Sequence, residues 1–307
     1  STPSNSSAAS DVYKRQSYMW LYTTGSDALT PIVLYDYQPS RKGSCAQNFL
    51  DGFNGLVQCD GYQGYNRLED VTLVCCLAHA RRKFFEAVPA ARRKKLKLLD
   101  INSDVAIEDS NLPDEEEAEQ LIPAEIGLLY CNKLFYLERT LKDLDSGERK
   151  QQRTVLEQPI WEQFWNWLDT LHPTGGSKLG KAVNYAQNHH DTLMNYLLDG
   201  RCEISNNRAE RKAKSYAIGR KAFLFHTSET GAGASAVMYS IVETAKANNL
   251  NIFQYLYTVL LYMPDYMNSS AGIEQLMPWS DFIKEQCSGL IDVESNVPEN
   301  RIPLTQA

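Results

Sequence analysis

Short apolar runs broken by glycine and proline mark the first part of the chain. "SYMWLYTTG" (17–25) and "PIVLYDY" (31–37) read as two strands able to pair as a hairpin. Phe49, Leu50 and Phe53 then recur at helical spacing. "GLVQC" is a third strand ending at Asp60, and "VTLVCCLA" (71–78) a fourth, apolar enough to be buried on both faces. The order is β-β-α-β-β.

From "HARRKFFEAV" onward the period becomes that of a helix. Leu134, Leu137, Leu141 and Leu144 place one helix over 124–145. "PIWEQFWNWLDTL" forms another, started by Pro159, with Trp161, Phe164, Trp165 and Leu168 as a core-facing stripe. "SKLGKAVNYAQNHHDTLMNYLLDG" forms a third, closed by Gly200. Ser205 or Asn206 caps a helix over about 207–217 that carries Glu210 in its first turns. "TSETGAGASA" is a glycine-rich turn into the helix "SAVMYSIVETAKANN", and the pattern thins after Pro264. A helical block thus interrupts a β-rich core.

Residues 1–16, "STPSNSSAASDVYKRQ", are serine-rich without an apolar period, and resemble a sequencing-adaptor remnant more than native protein. The expected divisions are this disordered leader, a first core part (17–85), a helical insertion (86–200) with an acidic loop (100–120), the Glu210 helix with the rest of the core (201–265), and a tail (266–307) whose last twenty residues read as disordered.

Of 307 residues, 43 % are apolar and 22 % charged, enough for a sizeable core. No apolar run is long enough for a membrane span, and no secretory leader is visible. The seven cysteines lack Cys-x-x-Cys spacing, which disfavours a disulfide framework or zinc ribbon and suits a reducing cytoplasm. Cys76 and His79 stand at x-x spacing, but no second pair accompanies them, so packed side chains are the simpler reading. His189–His190 reads as a surface or interface pair, and Cys202 as structural.

The net charge of −7 argues globally against nucleic acid. The average hides segregation: residues 100–119 hold nine acids and no base, while bases cluster at 81–83, 92–97, 208–214 and 220–221. Local fields decide whether phosphate docks.

Two carboxylates from a strand end and a distant helix, Asp60 and Glu210, could hold divalent ions about 3.5–4 Å apart that clamp a phosphodiester. Mg²⁺ suits oxygen ligands, and Arg208, Arg211, Lys212 and Lys214 beside Glu210 could position the phosphate backbone. Spacing alone leaves blander readings open: Asp-Gly is a common turn dipeptide, and a helical Glu among bases is often a solvated partner. "GAGASA" is no nucleotide loop, because no Gly-Lys-Ser/Thr follows; helix packing explains it better than phosphate binding.

Four stretches in order, "CDGYQGYN", "CCLAHARRKFFEA", "DGRCEISNNRAERKAKSYAIGRKAFLF" and "GAGASAVMYSIVETAKANNLN", closely resemble the insertion-sequence sixty-six family of bacterial transposases, over about 17–279. The resemblance implies an α/β fold with a ribonuclease-H-like mixed-sheet core, a large helical insertion and a helical C-terminal region. It implies DDE-type cleavage and strand transfer with Mg²⁺ or Mn²⁺. Asp60 matches the second catalytic aspartate and Glu210 the catalytic glutamate, both metal ligands. Arg81, Arg82, Arg208, Arg211, Lys214, Arg220 and Lys221 fall where DNA contacts are expected, with His79, Arg81 and Arg82 equally suited to supporting the site or the fold. The implied partners are element ends and target DNA, further copies of the chain and element-encoded accessory proteins.

Two departures matter. No strand bearing the family's first aspartate is recognised before "SYMWLY", and Lys214 and Ser215 replace an usual Arg-Pro. The expectation is the C-terminal portion of a longer transposase, inactive alone. The alternative is a non-catalytic remnant that binds DNA or transposase subunits.

Overall fold

The computed structural model describes residues 17–95, 121–224, 226–266 and 271–289. The leader, the acidic stretch and the last residues of the tail lie outside these. The described chain is mixed α/β, mostly helical, with small sheets. None of its described helices is long and apolar enough to cross a membrane.

The chain divides into two compact units. The first joins the chain up to Thr23, Thr30–Cys45 and the chain from Tyr216 onward; the second is Thr24–Leu29 with Ala46–Ser215.

In the first unit, β1 (Tyr18–Thr23) pairs antiparallel with β2 (Val33–Gln38), the expected hairpin. The pair does not extend into a wider sheet: the described strands form two separate two-stranded sheets rather than one mixed one. Side chains explain why. The outer edge of β2 is occupied by hydroxyls of the helix Glu229–Ala247. Thr244 Oγ1 accepts the Val33 N–H at 3.0 Å and donates to the Val33 carbonyl at 2.9 Å, and Ser240 Oγ accepts the Tyr35 N–H at 2.8 Å. A strand edge satisfied in this way offers nothing to a further strand.

That helix also corrects the glycine-rich turn. "TGAGASA" is helical from Glu229, because Ser228 caps the end by accepting the Gly231 N–H. The described part of the tail includes an α-helix that the sparse pattern hid, Asp281–Cys287, capped by Ser280. Its Ile283 and Cys287 are buried against Ala245, Leu250 and Tyr255.

The helix α1 (Gly43–Phe49) leads from the first unit into the second, where β3 (Gly55–Cys59) pairs parallel with β4 (Val71–Cys75). The fourth strand is shorter than expected: Cys76 is already the N-cap of α2 (Leu77–Ala87), and only Val74 and Cys75 are buried within β4. Next come α3 (Ala90–Lys95), α4 (Pro123–Thr140), α5 (Ser146–Leu156), α6 (Gln158–Asp169), α7 (Lys178–Asn188) and α8 (His190–Met194). The expected third helix is thus broken at His189. The α6 stripe is core, with Trp161, Phe164 and Leu168 buried beside Phe84 of α2 and Leu128 of α4.

This core also encloses charge. The fully buried Arg153 guanidinium makes a two-pronged pair with Glu138 (2.6 and 2.8 Å) and donates to the carbonyls of Tyr196, Asp199 and Cys202 at 2.9, 3.0 and 2.7 Å. Glu157, also fully buried, accepts from the Tyr196 hydroxyl, which in turn accepts from Trp161 Nε1.

Burial, reinforced by the Glu138 charge, raises the Glu157 carboxyl to about 8. A raised folded-state pKa means that the folded chain holds a proton the unfolded chain releases, so stability falls as pH rises between the unfolded value, near 4.5, and about 8. Denaturant unfolding across that window is expected to show a slope of at most about 1.4 kcal/mol per pH unit, flattened in Glu157→Gln. Equal slopes in the two proteins would refute it.

Candidate active site

The β3/β4 pair ends in register at Cys59 and Cys75, and the Cys76 N–H donates to the Cys59 carbonyl at 3.0 Å. Asp60 therefore leaves β3 beside Cys76, at the carboxyl end of a parallel pair, where α/β sheets place ligands. Its Oδ1 accepts the Tyr62 N–H at 3.0 Å, and its carbonyl accepts from the Tyr185 hydroxyl at 3.3 Å. The turn depends on Gly61, whose φ is +79°. An added Cβ would stand 2.7 Å from Tyr185 Oη, 3.0 Å from Cys75 Sγ and 3.1 Å from His189 Nε2. Gly61→Ala should therefore push Asp60 out of place and lower cleavage about 10²-fold, the scale for a misplacement of about 1 Å. Wild-type rates in that variant would show that the turn has no such role.

Glu210 reaches the same end of the sheet by a stitched path. Gln58 Nε2 donates to the Glu203 carbonyl, the Leu77 N–H to the Ile204 carbonyl (3.1 Å), and the Asn206 N–H to Cys76 Sγ (3.1 Å). The helix α9 (Asn207–Phe223) starts there, six residues longer than expected at its far end, with Glu210 in its first turn. The Glu210 carboxylate lies 3.5 Å from His79 Nε2 and 3.9 Å from an Arg82 Nη, both on α2. A sulfur of Cys76, a ring nitrogen of His79 and a carboxylate oxygen of Glu210 all lie within 4.8 Å of one another. Asp60 is not a member of that group. Burial pushes the Cys76 thiol up to about 11.

The basic candidates separate. Arg81 points inward: it is buried, and its Nε donates to Asn132 Oδ1 of α4 at 2.7 Å. Burial lowers its pKa. That is the placement of a residue supporting the fold, one of the roles foreseen for it. Arg82 faces Glu210. Arg208 is half-buried, while Arg211, Lys214, Arg220 and Lys221 are exposed on α9, a helix with no buried residue among those described and Glu210 as its one acid. Sequence reasoning missed Tyr185 and His189 as the backing of Gly61, and missed that Glu210 joins the Cys76–His79 pair; both contacts are long-range, and only the Cys-x-x-His spacing hinted at the second.

Each carboxylate keeps oxygen lone pairs of the kind a hard divalent cation takes. Asp60 Oδ1 is engaged by its own turn, leaving Oδ2 to give. The Glu210 carboxylate meets His79 and Arg82 at 3.5 and 3.9 Å, longer than charge-assisted hydrogen bonds, with its side chain 39 % exposed, so it can turn to an ion that keeps its waters.

The sequence model described as "Transposase IS66 family" matches residues 2–234, starting inside the stretch set apart as a leader, and that of the "IS66 C-terminal element" matches residues 240–279. Among similar proteins are three uncharacterized ones from Sinorhizobium fredii (strain NBRC 101917 / NGR234). The chain is 28 % identical to y4hP over 81 % of its own length and 44 % of the relative's. For y4qI the figures are 27 %, 86 % and 47 %, and for y4jD 28 %, 81 % and 46 %. The chain thus spans about half the length of these relatives. No solved structure matches it. The two family matches together cover most of the chain, which belongs to the IS66 family of transposases.

Proposed function

We propose that this chain carries the carboxylate centre of a DNA transposase that cuts phosphodiester bonds at the ends of an insertion sequence and joins the freed 3′ ends to target DNA. The observation that supports the reading is that Asp60 follows β3 at the carboxyl end of the β3/β4 pair, while the segment leading into the Glu210 helix is hydrogen-bonded to Gln58, Cys76 and Leu77 around that pair. In this reading the core is ribonuclease-H-like, and Asp60 Oδ2 and the Glu210 carboxylate hold Mg²⁺ or Mn²⁺. The ion supplies Lewis-acid polarisation of the phosphodiester and an acidified attacking water or hydroxyl.

The chain's own groups do the rest. Arg82 and His79 hold the Glu210 carboxylate in the absence of an ion. Arg208, Arg211 and Lys214 on the first part of α9 set the DNA backbone against the site as point charges, carrying position rather than sequence, and Arg220 and Lys221, in the other unit, contact DNA backbone as well. Arg81 anchors α2 to α4 and keeps His79 and Arg82 in place. Copies of the chain and accessory proteins assemble with it on DNA.

The test is cleavage of linear DNA bearing the element's ends by the full-length gene product that contains this chain. Cleavage with Mg²⁺ or Mn²⁺ and none with EDTA is expected. Cleavage that persists in EDTA would overturn the metal-dependent reading, and bound but uncut DNA would favour the non-catalytic alternative.

A further inference from the structure

We infer that Cys76, His79 and Glu210 form a binding site for a borderline-soft divalent cation of the Zn²⁺ class, chemically distinct from the hard-cation site assigned to the carboxylates. The three ligand atoms already lie within 4.8 Å of one another. Sulfur, imidazole nitrogen and carboxylate oxygen are the three donors that Zn²⁺ takes, and three protein ligands leave a fourth position open. Mg²⁺ does not seek thiolate, so this set selects against it.

The pair from α2 is pre-arranged. Cys76 is the helix N-cap and His79 lies in the first turn, so both side chains converge on one rigid end. The Asn206 N–H donates to Cys76 Sγ at 3.1 Å and fixes the sulfur at that end. His79 has ligand capacity that the protein leaves unused: its Nε2 faces Glu210 at 3.5 Å, while its Nδ1 is buried without a hydrogen-bond partner among the described residues. Buried ring nitrogens are normally satisfied, so this one stands out.

Closure needs little movement. Zinc ligation at roughly 2.0–2.3 Å requires the three atoms to draw in by about an ångström. Glu210, with no contact shorter than 3.5 Å to His79 or Arg82, supplies most of that motion, and the half-exposed Arg82 swings aside. The site rests on this geometry alone. If Glu210 also serves the transposase centre, a Zn²⁺-class ion withdraws it from the hard-cation pair and inhibits cleavage.

Co²⁺ is the probe, titrated into the metal-free 307-residue chain without DNA and followed by absorption. One equivalent should produce visible d–d bands and a near-ultraviolet sulfur-to-cobalt charge-transfer band. Cys76→Ser should abolish the charge-transfer band. His79→Ala and Glu210→Gln should each weaken Co²⁺ binding at least about tenfold. Glu210→Gln is the safest variant, since its carboxylate is 39 % exposed, and circular dichroism checks each fold. A folded wild type that binds no Co²⁺, a charge-transfer band that survives Cys76→Ser, or unchanged affinity in Glu210→Gln would each overturn the site. Loss of cleavage in a separate DNA assay leaves this result untouched, so the two readings fail separately.

Discussion

Asp60→Asn and Glu210→Gln should each lower strand cleavage by about 10³-fold or more while DNA affinity and melting temperature stay near wild type, the scale of removing a group that acts directly on the reacting centre. The local structure makes these clean substitutions. Asn at position 60 still presents an oxygen to the Tyr62 N–H, so the turn at Gly61 is kept and only the charge is lost. Gln at position 210 preserves shape on a half-buried first helical turn. The contacts it weakens, at 3.5 and 3.9 Å and half in water, are worth under about 1 kcal/mol. Cleavage rates, filter binding and thermal unfolding on the same preparations separate the effects. A fall in melting temperature that accompanies the loss of cleavage would mean that the carboxylates hold the fold.

The largest expected effect on stability is at Arg153. Replacing it by Met keeps much of its length but leaves Glu138 without its two-pronged partner and three carbonyls without a donor, beside the buried Glu157. Breaking a buried pair from one side costs about 3–5 kcal/mol. For a chain of this size that corresponds to a melting temperature lower by about 5–8 °C. The consequence reaches the site, because the carbonyls of Tyr196, Asp199 and Cys202 belong to the segment that leads into Glu203, Ile204 and the Glu210 helix. Differential scanning calorimetry of Arg153→Met decides it: a loss under 1 °C would show that the buried pair contributes nothing net.

What was legible in the sequence was whatever local pattern controls. The α6 stripe, the Pro159 start and the run of β3 into Asp60 follow from apolar spacing and from a glycine that tolerates φ of +79°. What was not legible depended on partners far along the chain. Nothing near Val33 or Tyr35 announces that Thr244 and Ser240 will occupy that strand edge, so a wider sheet was the natural expectation. The "GAGASA" glycines looked like a turn because glycine weakens helices. The Ser228 cap and the burial of Ala232 and Ala236 outweigh that cost. Helix α5, "SGERKQQRTVL", has no apolar period because its buried residue is Arg153. In the site, the strand-end position of Asp60 and the first-turn position of Glu210 were legible, because each follows from local pattern. Cys76 and His79 were set aside for want of a further ligand, which lies on α9, across the sequence but near in space.

The central claim is that Asp60 and Glu210 act as one unit, and a double-mutant cycle on metal-dependent cleavage tests it most directly. If both hold the same ion cluster, Asp60→Asn with Glu210→Gln will be within about tenfold of either single variant, because the second loss removes something already gone. Losses that multiply independently, or near-wild-type cleavage in either single variant, would contradict the account.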